Sequence, residues 1–196
     1  MRRLPSAVLL ASILAGAGLV LTGCYAPTPE PTDSPSATTT PTPSTSPTPS
    51  GTPSAEPATY PVDIACSSLI TLQQMYDFNP NFSLLASWEP EAGSAAATAL
   101  ESEGVACRWR NNSSGETIDI SVASFDAGTL ERLANEAYES STMVPTYGDE
   151  AYFEVQGDEG EAIVFDGAYW LVARSVYFQE PGDAEPLVND ALSALP

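Results

Sequence analysis

Three sulfurs carry the most legible chemistry in this sequence: Cys24, Cys66 and Cys107. Cys24 closes Leu21-Thr22-Gly23-Cys24, an aliphatic, small, small, Cys order that matches a bacterial lipobox. Before it, Arg2 and Arg3 form a positive start and Ala7 to Leu21 an apolar run, the layout of an export signal. The expectation is cleavage after Gly23, leaving residues 1–23 as a lipoprotein signal peptide and Cys24 as the lipidated first residue. A diacylglycerol on that sulfur buries on the order of 30 methylenes at ~0.8 kcal/mol each, so attachment is effectively permanent. The apolar run is short for a membrane span. A plain signal peptide cut elsewhere and an uncleaved anchor helix are the competing readings. The arginine pair fits a twin-arginine signal poorly.

With Cys24 taken, Cys66 and Cys107 remain as two thiols in an exported domain, where a disulfide is the ordinary outcome. It would close a loop of about 41 residues and contribute ~4 kcal/mol on the chain-entropy estimate. It would also pin an early helix, which otherwise adds little to the core. A redox or metal pair would need a low-pKa thiolate or further soft ligands, and the chain offers no histidine and no fourth cysteine.

Absence shapes the remaining chemistry. Without histidine there is no Ser-His-Asp or Cys-His arrangement and no imidazole base; without lysine there is no Ser-Lys dyad and no Schiff base. No P-loop, dinucleotide fingerprint or Gly-x-Ser-x-Gly occurs, and no cofactor is expected. Carboxylates are plentiful at Asp149, Glu150, Glu154, Asp158, Glu159 and Glu161, but no spacing selects the facing pair a glycosidase requires. The turn Asp158-Glu159-Gly160-Glu161 suits a hard cation such as Ca²⁺, without the spaced loop that such sites use; a solvated turn reads better, and no metal site is assigned. The basic residues number six against 26 acidic ones, a net charge of −20, and loss of Arg2 and Arg3 makes it two units more negative. Such a chain is repelled by nucleic acid and by anionic lipid, so membrane attachment falls to the acyl chains on Cys24.

Arg174 is the one charge inside the apolar stretch Trp170 to Phe178. If that strand is central, its guanidinium needs a carboxylate partner. Aromatic residues are dense around it. Tyr152, on the opposite side of its strand from Ala151 and Phe153, would be exposed if those two and Val155 face the core. Tyr152, Tyr169, Trp170 and Arg174 are therefore the candidate ligand or partner surface, with ordinary core placement as the competing reading.

These residues sit on a chain of three parts. Residues 24–60 form a Pro/Thr/Ser tether, as in Thr40-Pro41-Thr42-Pro43, too poor in aliphatic residues to offset ordering entropy. In polyproline II it reaches roughly 110 Å at most. Its hydroxyls could carry sugars. Residues 61–196 have globular composition and suffice for one core. A short helix is expected over Asp63 to Ile70, and Thr71 caps another through Leu72, Met75 and Tyr76. A strand should run Phe82 to Trp88, and Ser94 should cap an Ala-rich helix that Gly104 stops. Val105, Cys107 and Trp109 alternate with Ala106, Arg108 and Arg110, a half-buried strand with the arginines outward. Thr117 to Ser124 is the next strand, followed by a helix with Leu130, Leu133, Ala134, Ala137 and Tyr138 on one face. Ala151 to Val155, Glu161 to Phe165 and Ala168 to Phe178 are strands; Asp166-Gly167 signals a type I′ hairpin. Ala184 to Leu195 closes the chain as a helix.

Ser121 to Ala137 also lies over Ser175 to Ala191 without a gap, each copy a strand end leading into a helix. Hairpins interrupted by helices give an α+β fold, an antiparallel sheet with helices packed on one face and a hairpin-helix unit that the echo suggests is duplicated.

The lipobox, the tether, Cys66-Ser67-Ser68-Leu69, Cys107-Arg108-Trp109 and Tyr147-Gly148-Asp149-Glu150-Ala151-Tyr152 together resemble small actinobacterial surface lipoproteins of unknown function. That resemblance implies an extracytoplasmic α+β domain and transfers no catalytic residue. The expectation is a non-enzymatic, membrane-anchored binding or interaction domain of the cell envelope, acting on a small ligand or an envelope protein. A carboxylate hydrolase of envelope glycans is one alternative. A solute receptor for an importer is another, though a domain of this size lacks the usual two lobes.

Overall fold

The computed structural model describes residues 58–196. The lipobox, Cys24 and the tether up to residue 57 lie outside the described residues. The elements run β1 (Thr59–Tyr60), α1 (Cys66–Leu69), α2 (Leu72–Phe78), β2 (Phe82–Leu84), α3 (Ala95–Glu101), β3 (Val105–Asn111), β4 (Thr117–Phe125), α4 (Ala127–Ser140), β5 (Thr142–Met143), β6 (Glu150–Gln156), β7 (Glu159–Asp166), β8 (Tyr169–Ser175) and α5 (Pro181–Ala194). Paired structure thus begins at Thr59, just ahead of the boundary that composition draws at Pro61.

The architecture is α+β, built on one antiparallel sheet of eight strands in the order β2-β3-β4-β8-β7-β6-β5. β1 joins the side of β4 that β3 leaves open, Thr59 opposite Phe125 and Tyr60 opposite Ser124. β4 and β8 are central, and their sequences say why: both faces are apolar. Ile118, Ile120 and Val122 are fully buried in one core with Leu171 and Ala173; Ala123, Phe125, Trp170 and Val172 belong to a second.

Two cores require two covers. α1, α2 and α5 close the first face with Leu69, Met75, Leu187, Val188 and Ala191, while Ala99 of α3 and Ala134 and Ala137 of α4 close the second. The helices therefore divide between the faces instead of sharing one. A sheet whose middle strands are apolar on alternate residues leaves no face for water. The first helix also contributes more than expected: Leu69 and the following Ile70 are fully buried, worth about 2 kcal/mol each.

Local signals placed several boundaries. Thr71 and Gln74 form a capping box at α2, Ser94 accepts from Ala97 N at α3, and Asp126 accepts from Gly128 N and Thr129 N at α4. Asp126 also receives Ala58 N at 2.9 Å, which fixes the point where the tether enters the domain. Those bonds, led by the one from Thr129, hold the Asp126 carboxyl below its ordinary range.

Three expectations change in detail. β2 ends at Leu84 rather than Trp88, because Trp88 leaves the sheet to stack on Arg108. The β7–β8 hairpin turns on Gly167 and Ala168, with Asp166 paired to Tyr169 as the last strand residue. Only Gly167 has positive φ (56°), the pattern of a type II′ turn rather than type I′. The two echoed segments both end in helices, α4 and α5, but these lie on opposite faces, so the units agree in order and not in disposition.

Candidate functional site

Strand register assembles a charged row across the second face. Arg108 of β3 stands opposite Asp119 of β4, Asp119 opposite Arg174 of β8, Arg174 opposite Glu161 of β7, and Glu161 opposite Glu154 of β6. All five occupy the alternation that carries Trp170 and Val172 further along β8, so they sit on the face covered by α3 and α4.

Two ion pairs organise the row. Arg108 donates from Nε and Nη2 to the two Asp119 oxygens, each at 2.6 Å, in bidentate geometry. The Trp88 ring lies 3.8 Å from the Arg108 guanidinium carbon, flattening that side chain against the sheet. Arg174 passes over its register partner Asp119 and donates from Nε, at 3.0 Å, and Nη2 to Oε2 of Glu159. The expectation that a central strand forces Arg174 into an ion pair holds. The Nη1 edge of each arginine has no protein partner among the described residues.

Charge and burial tune these groups differently. Hydrogen bonding to Asp119 raises the Arg108 pKa above its already high value, against the cost of burial. Burial also opposes the charge on Arg174, and the Glu159 hydrogen bonds with nearby Glu161 and Asp119 more than compensate. Glu161 behaves in the opposite way. Burial pushes its carboxyl up, Arg174 pulls it down, and Glu154 and Glu159 add to the rise.

Under the first turn of α3 the row borders a partly enclosed cavity of about 90 Å³. Ser121 and Val172, paired across β4 and β8, line it together with Arg108, Asp119, Glu159 and Arg174. Ser94 to Ala96 close it from the helix side, and Glu91 stands at the rim. Ser121 is 1% exposed, and its hydroxyl has no hydrogen-bond partner among the described residues. A buried hydroxyl facing a cavity without a partner has a donor and an acceptor to offer.

The aromatic residues expected at a surface are placed otherwise. Tyr152 does point away from Ala151 and Phe153, but α4 covers that side and leaves it 2% exposed. It packs edge-on against Tyr138 and Phe165, and its hydroxyl donates to Glu150. Burial first, then the Glu150 carboxylate, pushes its pKa up to about 12. Trp170 is buried against Phe125. Tyr169 turns to the opposite face, half-buried against the first core. Of the four, only Arg174 lines the cavity.

The Asp158 to Glu161 stretch is not a free acidic loop. Glu159 and Glu161 are strand residues of β7, and Glu159 is held by Arg174. Cys66 and Cys107 form the expected disulfide, tying α1 to β3. Asp119, Ser121 and Glu159 escaped the sequence reading as site residues. Asp119 carried a signal, a lone charge between Ile118 and Ile120 in an otherwise apolar strand. Its pairing depends on register, which no local pattern announces.

Comparison with family models, with curated proteins and with solved structures finds no match for this chain.

Proposed function

We propose that this chain is a lipid-anchored protein of the extracytoplasmic membrane face whose single domain binds a ligand or envelope partner without catalysing a reaction. The observation that carries the reading is the disposition of sulfur. Cys66 and Cys107 bond to each other, a state that persists in oxidising compartments and not in a reducing cytosol. Cys24 is then the only remaining cysteine, and it stands at the lipobox. The resemblance to actinobacterial surface lipoproteins points the same way.

The binding part of the reading rests on the cavity beside Ser121. Its arginines are neutralised by Asp119 and Glu159, yet each keeps an edge without a protein partner, and a buried hydroxyl waits unpaired. Such a lining serves recognition of a small polar group.

One observation favours a glycan hydrolase: Glu161 is a carboxyl whose pKa burial raises, as a general acid requires. Glu161 does not line the cavity, however, and its acidic neighbours Asp119 and Glu159 are each committed to an arginine. A binding role uses the same residues without asking any carboxylate to be free.

Cross-linking on intact cells, followed by mass-spectrometric identification of what is captured, tests the proposal. Recovery of the chain in the membrane fraction, joined to another extracytoplasmic protein or a labelled small ligand, is expected. Recovery of the chain in the cytosol with reduced Cys66 and Cys107 would overturn it.

A further inference from the structure

We propose that the cavity beneath α3 binds a small zwitterion, a free α-amino acid with a small side chain such as glycine or alanine. This rests on the binding reading above and names the ligand class for that same site.

Size makes the first selection. At roughly 10–15 Å³ per water-sized group, a space of about 90 Å³ holds on the order of half a dozen non-hydrogen atoms. Glycine and alanine match that number, whereas a hexose is about twice too large.

Charge makes the second. The lining sets the two guanidiniums of Arg108 and Arg174 against the carboxylates of Asp119, Glu159 and Glu91. A simple anion entering here meets three acids, on a protein of net charge −20. A simple cation meets two guanidiniums. A zwitterion satisfies both sets at once. Its carboxylate takes the Ser121 hydroxyl and the unpartnered Nη1 edges of the arginines, whose planar N–H groups suit a carboxylate. Its ammonium turns toward Glu159 and Glu91 at the rim. The methyl groups of Ala95 and Ala96 and the Val172 side chain surround the ligand's short carbon portion.

Ser121 is the independent observation behind this assignment. A hydroxyl 1% exposed and without a partner is costly to leave so, unless a bound group completes it. The ion pairs alone could serve the fold; they do not account for Ser121.

The test uses the full chain, purified from membranes in detergent, and calorimetric titration with glycine, alanine, acetate, methylammonium and glucose. Saturable binding of glycine or alanine is expected, with acetate and methylammonium weaker by about tenfold or more, because each supplies half of the paired charge. Ser121→Ala, which keeps the strand and its packing, should weaken amino-acid binding by about fivefold or more without lowering the unfolding midpoint. Arg174→Gln should abolish it, with the folded state verified by circular dichroism. Acetate binding as tightly as glycine, preferential binding of glucose, absence of saturation by any amino acid, or unchanged affinity in Ser121→Ala would each overturn the proposal. If no amino acid binds while surface cross-linking still captures an envelope partner, this inference falls and the anchored-binding reading stands.

Discussion

Arg174 stands directly opposite Asp119 in the sheet, yet it gives its Nε and Nη2 hydrogen bonds to Glu159 on the other neighbouring strand. Asp119 is already engaged at both oxygens by Arg108. The two central carboxylates thus divide the two arginines, and the cavity lies where their remaining donors meet Ser121.

Those pairs should differ in strength by exposure and geometry. Arg108–Asp119 is bidentate with side chains 29% and 19% exposed, Arg174–Glu159 is 41% and 36%, and Arg132–Glu136 on α4 is 55% and 60%. Double-mutant cycles with Gln and Asn replacements, read by urea unfolding, should rank them in that order. The first should couple by about 1.5 kcal/mol. The last should couple by roughly 0.3–0.5 kcal/mol, as exposed helix pairs do. Equal coupling in all three would show that burial of the row has no energetic consequence.

Glu161 gives a pH signature of definite sign. Its folded-state carboxyl is raised above the unfolded value, so the native state holds the proton more tightly. Stability tied to this group is therefore full below the unfolded carboxylate pKa and lost as pH rises through the raised folded value. Glu161→Gln should raise the unfolding midpoint at neutral pH, and the gain should shrink toward zero in acid. A variant less stable than the parent at neutral pH would mean that attraction to Arg174 outweighs the burial cost.

The sequence made the elements legible and left the relations between them obscure. Thr71, Ser94 and Asp126 marked helix starts because capping is a local matter of side chain and backbone. The alternation around Ile118, Ile120 and Val122 marked a strand for the same reason. That both sides of β4 and β8 are apolar was also readable, and it required covers on both faces. The consequence for Tyr152 was missed there, since a residue opposite one core was taken to meet solvent when it meets α4. Asp119 and Ser121 could be seen as polar residues in an apolar strand. Which partners they meet is set by a register fixed by distant turns, and by the choice Arg174 makes between two carboxylates.

The end of α3 separates two requirements that a single glycine usually meets. Glu103 takes the left-handed conformation (φ 58°), while Gly104 is needed for close approach: a Cβ there would lie 2.2 Å from the Val122 carbonyl oxygen. Glu103→Gly should stabilise the domain by up to about 1 kcal/mol by relieving the backbone. Gly104→Ala should destabilise it by about 2 kcal/mol or more through overpacking. Thermal unfolding of the two variants should move in opposite directions.

The Cys66–Cys107 bond closes a span of 41 residues. Its removal in a Cys66→Ala/Cys107→Ala double variant should cost ~4 kcal/mol on the chain-entropy estimate, offset slightly by retained packing of Leu69 and Ile70. The exported parent should show no free thiol at either position without reductant. Two reactive thiols in the folded parent would contradict the pairing.

Metabolic labelling with a palmitate analogue tests the central claim most directly. The parent chain should incorporate label and fractionate with membranes, and Cys24→Ala should lose both. Label that persists in Cys24→Ala, or a parent that takes up none, would contradict anchoring through that cysteine.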